Sequence, residues 1–163
     1  MQLSETDLSY LRQCVDLAAA GMAEGNGPFG SVLVAADGEV LFSDHNRESD
    51  GDGTQHPEFA IARWAANQLS PSERAAATVY TSGEHCPMCA AAHGWVGLGR
   101  IVYAVSSDQL SGWRAGWGAP SAPVAALPIT AVVPDAVVDG PADELVEELK
   151  ALHRAAFERA AAN

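Results

Sequence analysis

Two short stretches constrain this chain more than any others: His56-Pro57-Glu58 and Cys86-Pro87-Met88-Cys89. In each, a strong metal-ligating side chain stands one residue before a proline, and an apolar run follows. Proline lacks an N–H and has a fixed φ, so it suits the first turn of a helix and disrupts the interior. Both stretches therefore predict helix starts, with His56 and Cys86 each standing just before one. The i, i+3 spacing of Cys86 and Cys89 puts both sulfurs on one helical face. A helix N-terminus also favours the thiolate, through its free N–H groups and positive dipole end. Two thiolates and one imidazole form a soft, tetrahedral set for zinc, and three protein ligands leave a fourth position open for water. Glu58 is too far along its helix to be an obvious fourth ligand, but it suits a proton shuttle beside that water. A redox role for the C-x-x-C pair is the competing reading. It leaves His56 and Glu58 without a task.

The rest of the chain reads as alternating elements. Ser4 to Asp7 is a capping box, and Leu8, Leu11, Val15, Ala18 and Met22 recur at helical spacing, predicting a helix to about Glu24. "SVLVAADGEVLFSD" predicts a hairpin about Asp37-Gly38. "HNRESDGDGTQ" reads as a polar loop. Helices are expected from Pro57 to about Leu69 and from Pro87 to about Val96. "ATVYTS" and "RIVYAVS" read as strands, and "ITAVVP" as a short one. "GWRAGWGAPSAPVAALP" reads as a long irregular segment, and Asp143 to Ala162 as a closing helix. There is no internal repeat and no linker. The order predicts one α/β domain over residues 1–163, three-layered, with helices on both faces of one sheet.

Composition narrows the function classes. Nine Lys and Arg against 21 Asp and Glu give a net charge of −12. That field repels polyanions, and no basic stripe with interleaved aromatics offsets it, so nucleic acid is not an expected partner. No apolar run reaches the ~18–20 residues that span a bilayer. The first residues are polar and acidic and do not read as a signal or transit peptide. The expectation is a cytoplasmic protein with no membrane partner. Three cysteines, Cys14, Cys86 and Cys89, argue against a disulfide framework.

H-x-E followed by C-x-x-C, each at a strand-to-helix junction, is the zinc-deaminase signature. Over roughly residues 27–105 the chain resembles the cytidine deaminase-like superfamily, in its guanine deaminase and cytosine deaminase branch. The resemblance rests on "GPFGSVLVAADGEV", "HN", "DGTQHPEFAIA", "VYTSGEHCPMC" and Trp95. It implies a mixed five-stranded sheet between helices, usually in a homodimer. It implies zinc held by His56, Cys86 and Cys89, with Glu58 as proton shuttle. It implies a small-molecule base stacked near Phe29 and hydrogen-bonded by Asn46, with Trp95 as a mark of nucleobase-acting members. The expected activity is hydrolytic deamination of a small amino-heterocycle. A nucleoside deaminase is the alternative enzyme, and a non-catalytic zinc-binding interaction module the alternative of another class.

Three departures from the resemblance bear on substrate. The family usually has alanine where Pro57 stands, and that alanine's N–H commonly donates to a carbonyl of the base; Pro57 has no N–H to give. His85 replaces a proline before the first cysteine, either lining the pocket or facing solvent from a loop. Beyond Val105 the likeness fades, and Asp108, Trp113 and Trp117 are the candidates to close the pocket, with packing or an interface the plainer reading of the two tryptophans. His93, one turn past Cys89, reads as a packing or interface residue rather than a fourth ligand.

Overall fold

A computed structural model describes residues 3–162. Helix α1 (Glu5–Ala23) opens on the expected capping box. Ser4 accepts from the Asp7 N–H, and the Asp7 carboxylate accepts from the Ser4 N–H. Strands β1 (Gly30–Val34) and β2 (Val40–His45) form the predicted hairpin. Helix α2 (Pro57–Gln68) and helix α4 (Pro87–Val96) each carry proline in the first turn. Strand β3 (Thr78–Gly83) and strand β4 (Arg100–Val105) flank α4.

Four parts differ from the sequence reading. Helix α3 (Pro71–Ala76) follows α2, started by a Ser70–Glu73 capping box. Helix α5 (Ser107–Gly116) takes up the start of the segment expected to be irregular; a Ser106–Gln109 capping box starts it in spite of Gly112 and Gly116. "ITAVVP" is a single helical turn, α6 (Ile129–Val132), not a strand. The fifth strand is instead the two-residue β5 (Val138–Asp139). Helix α7 (Asp143–Ala161) closes the fold.

The sheet is mixed and five-stranded, in the order β2-β1-β3-β4-β5. Strand β1 is antiparallel to β2 and β3, while β3, β4 and β5 run parallel. Parallel neighbours need crossovers, and α4 supplies the one between β3 and β4. Both faces are covered, which is why β1 is buried at every residue. Alternation along the strands sorts the side chains. Val32, Val34, Tyr80 and Val102 pack under α1 and α7 with Leu11, Val15, Leu145 and Leu149. Leu33 and Val79 face the other way, against Ile61 and Ala65 of α2. A third cluster joins Ala90 of α4, Ile101 of β4 and Ile129 of α6. At Gly30 any Cβ would stand 2.4 Å from the Cys14 carbonyl oxygen, so glycine is what lets β1 approach α1.

Candidate active site

The N-termini of α2 and α4 meet, with Glu58 on the first turn of α2 bonded to the interior strands β1 and β3. His56 is the residue before α2 and Cys86 the residue before α4. His56 Nδ1 lies 3.6 Å from Cys86 Sγ and 3.6 Å from Cys89 Sγ, and the two sulfurs are 3.6 Å apart. Ordinary Zn–N and Zn–S bond lengths in a tetrahedron require about 3.6 Å between nitrogen and sulfur and about 3.8 Å between sulfurs. The triangle fits zinc. Among the described residues no other His, Cys, Asp or Glu joins the group, so the fourth position is left to a non-protein ligand.

The electrostatics of the bare cluster agree. The Cys86 thiol is pulled down to about 4, first by its hydrogen bond with Cys89 and further by His56, with burial opposing. Cys89 is pushed up by that same hydrogen bond and by burial. His56 is raised, first by its hydrogen bond with Cys86. A dication held there would replace protons on these ligand atoms.

Glu58 is 5% exposed and lines the same cavity as His56 and Cys86. Its Oε1 accepts from the Ser31 hydroxyl at 2.8 Å and the Thr81 hydroxyl at 2.7 Å. The cavity has a volume of about 740 Å³. Phe29, Glu58, Glu84, Met88, Leu110, Arg114 and the segment 119–126 are among the residues that line it. The Glu84 carboxylate accepts from the Ser107 N–H at 2.8 Å and the Ile129 N–H at 2.9 Å. It thereby ties the turn that carries Cys86 to the starts of α5 and α6, which flank residues 119–126 in sequence.

The structure distributes the sequence candidates unevenly. His56, Glu58, Cys86 and Phe29 share the cavity, and Cys89 lies buried directly behind them. The Phe29 ring packs edge-on to His153, with centroids 4.9 Å apart, and a Cβ at Gly83 would come within 2.9 Å of it. Asn46 is buried next to Phe29, whose carbonyl accepts from the Asn46 N–H. Its Nδ2 donates to Glu48, its Oδ1 has no partner among the described residues, and it stands outside the cavity lining. Pro57 is buried at the first turn of α2.

Three candidates stand elsewhere. Trp95 is 90% exposed near the end of α4, outside the cavity lining. Asp108 is exposed on the first turn of α5 and does not line the cavity. His85 is neither a pocket wall nor a solvent-facing loop residue. It is buried, with its ring 5.5 Å from that of His93, and burial and His93 together lower its pKa well below the usual value. His93 lies 2.9 Å from the Gly99 carbonyl through Nε2, as a packing residue at the end of α4. Trp113 and Trp117 face α7, near His153 and Phe157 respectively. Ser31, Thr81, Glu84 and Arg114 escaped the sequence reading. Ser31 and Thr81 sit inside buried strands, and no motif marks Glu84 or Arg114.

A zinc-binding cluster at paired helix N-termini, with a buried carboxylate at its side, on a mixed sheet between helix layers, defines a class of metal-dependent proteins. The sequence profile of the cytidine and deoxycytidylate deaminase zinc-binding region matches residues 4–105, and the chain belongs to that family. A probable cytosine deaminase of Schizosaccharomyces pombe is 37% identical over 109 residues, covering 67% of this chain and 66% of the relative. A guanine deaminase of Bacillus subtilis is 33% identical over 97 residues, covering 59% and 62%. The chain thus spans under two thirds of the length of either curated relative. A solved guanine deaminase from Nitrosomonas europaea superposes with a TM-score of 0.69 at 21% identity, covering 96% of this chain and 86% of that one. That likeness carries the fold through α7, past the end of the family match.

Proposed function

We propose that this chain hydrolytically deaminates a small amino-heterocycle of the nucleobase class and releases ammonia. One observation carries the reading: the buried Glu58 carboxylate lines the cavity that holds the His56–Cys86–Cys89 cluster. His56, Cys86 and Cys89 would hold zinc, and zinc bound there would lower the pKa of a water toward neutrality. Glu58 would accept a proton from the attacking water and deliver it to a ring nitrogen as oxygen adds at the carbon bearing the amine, and would then move a second proton to the departing nitrogen. Water and an amino-heterocycle give a keto heterocycle and ammonia. Phe29 offers an aromatic face to the ring, and the unpartnered Asn46 Oδ1 supports a role in accepting a hydrogen bond from it.

The cavity of about 740 Å³ is larger than a bare heterocycle needs, which favours a nucleoside as the second reading. The net charge of −12 supports a free small molecule over a polynucleotide. A homodimer belongs to the same proposal. It is supported by Trp95, an exposed indole of the kind that contacts cover, and is tested by analytical ultracentrifugation. A cytoplasmic site of action is part of the reading; no helix among the described residues is long and apolar enough to cross a membrane.

The test is ammonia release by zinc-loaded protein across purines, pyrimidines, triazines and their nucleosides. Glu58→Gln should keep zinc and fold yet lower turnover by about 100- to 10,000-fold, since the amide cannot take a proton. Near-normal turnover in that variant would remove Glu58 from the shuttle role. No ammonia from any substrate would favour the non-catalytic module.

A further inference from the structure

Ser31 and Thr81 are both 0% exposed and polar, in strands β1 and β3. They are direct cross-strand partners of the antiparallel pair β1–β3. They occupy the sheet face of Leu33 and Val79, the face that α2 covers. Their hydroxyls lie 2.9 Å apart, and both reach the same atom, Oε1 of Glu58. Neither hydroxyl reaches Oε2, and the other side chain within hydrogen-bonding reach of the Glu58 carboxylate is the Cys89 thiol. We propose that Ser31 and Thr81 are positioning residues for Glu58: they anchor Oε1 and leave Oε2 as the atom that carries the proton. This inference rests on the shuttle role proposed for Glu58.

The proton count supports an arrangement that follows the charge of the carboxylate. Each hydroxyl has one proton and two places to put it. Ser31 can donate to Glu58 or to Thr81 Oγ1; Thr81 can donate to Glu58 or to the Gly83 carbonyl at 2.9 Å. With Glu58 ionised, both protons turn to Oε1, because hydrogen bonds to a charged acceptor are the stronger ones. When Oε2 takes a proton, Oε1 attracts them less. Thr81 can then turn to Gly83 and Ser31 to Thr81, and no proton is left without an acceptor. Rotating two O–H bonds is a small reorganisation. A fixed N–H donor could not make it.

The test uses zinc-loaded protein and whichever substrate releases ammonia. Thr81→Val keeps the shape of threonine and deletes only the hydroxyl; Ser31→Ala deletes the other. Each should lower kcat by about tenfold or more, with KM within about twofold, on the scale of one hydrogen bond to a charged group. Thr81→Ser, which restores the donor without the methyl, should recover most of that loss. In a Glu58→Gln background, Thr81→Val should cost almost nothing further, because the carboxylate it serves is gone. A readout independent of turnover is the infrared carboxylate stretch of Glu58, assigned by its loss in Glu58→Gln. It should shift in Thr81→Val and Ser31→Ala and return in Thr81→Ser. If Thr81→Val and Ser31→Ala keep kcat within about twofold while Glu58→Gln is inactive, the shuttle stands and the positioning role is wrong. Failure of Thr81→Ser to rescue would also overturn it, since the effect would then be one of packing. Retained turnover in Glu58→Gln would instead sink the shuttle, and this proposal with it.

Discussion

At the scale of single residues, Pro57 is the departure with the clearest chemical consequence. It is buried at the first turn of α2, between His56 and Glu58, where the helix would leave an N–H unpaired in any case. The fold therefore tolerates it. A substrate that aims a carbonyl at this position finds no donor, and a buried unmet hydrogen bond costs ~1–3 kcal/mol. A substrate without that carbonyl loses nothing. Pro57→Ala should therefore raise kcat/KM for an ordinary carbonyl-bearing base by roughly 5- to 150-fold relative to one lacking the carbonyl. The two rates should be compared in both proteins; an unmoved ratio would leave Pro57 as a helix starter only. The His56–Cys86–Cys89 cluster was legible because in both stretches a ligand-type side chain precedes a proline that opens a helix. Ser31 and Thr81 were not, because a hydroxyl in a buried strand becomes informative only when its cross-strand neighbour is known. His85 showed the converse. Its place beside a cysteine ligand suggests a pocket or surface group, and packing against His93 decides otherwise.

At the scale of elements, capping chemistry located helices better than propensity did. Three capping boxes start α1, α3 and α5, yet only the first stands out in the sequence, since α3 is only six residues long and glycines interrupt α5. The turn α6 was legible to neither rule. Its β-branched residues suggest a strand, and the Glu84 carboxylate that accepts from its first N–H lies 45 residues away. The α1 box has a second task. Asp7 also accepts from the Tyr80 hydroxyl at 2.9 Å and from Arg100 at 2.6 Å, fastening the start of α1 to β3 and β4. Burial alone would raise the Asp7 pKa, but Arg100, Ser4 and Tyr80 outweigh it and hold the carboxyl well below the usual range. A carboxyl depressed in the folded state adds stability above its unfolded pKa and loses it as pH falls toward its folded pKa. Asp7→Asn should thus be less stable than wild type by ~2 kcal/mol at pH 7. The gap should narrow steadily below about pH 4, where the unfolded carboxyl begins to protonate. Urea unfolding across that range measures it, and a constant gap would mean that the charge of the Asp7 carboxylate adds no stability.

At the scale of the whole molecule, the metal cluster is separable from the core. The two principal cores lie on opposite faces of the sheet, and neither includes His56, Cys86 or Cys89. The ion should therefore clamp α2 to α4 in a domain that is already folded, unlike a small zinc module that unfolds without metal. Binding only the native state, it still raises stability by mass action. Three free thiols make this measurable, since they occupy different levels of the structure. Cys14 is buried under β1, within the core that α1 and α7 share with the sheet, and burial pushes its thiol up, so it should be inert in any folded form. Cys89 is equally buried and also pushed up, so burial protects it as well, and Cys86, which lines the cavity, is the thiol that zinc alone should protect. A thiol reagent should therefore find essentially none of the three in zinc-loaded protein, one after chelation, and the other two only on unfolding. Far-UV circular dichroism should hardly change at the chelation step, while the melting temperature falls. Release of all three thiols together on chelation would show instead that zinc holds the whole fold. A reactive Cys86 in fully zinc-loaded protein would show that it is not a ligand.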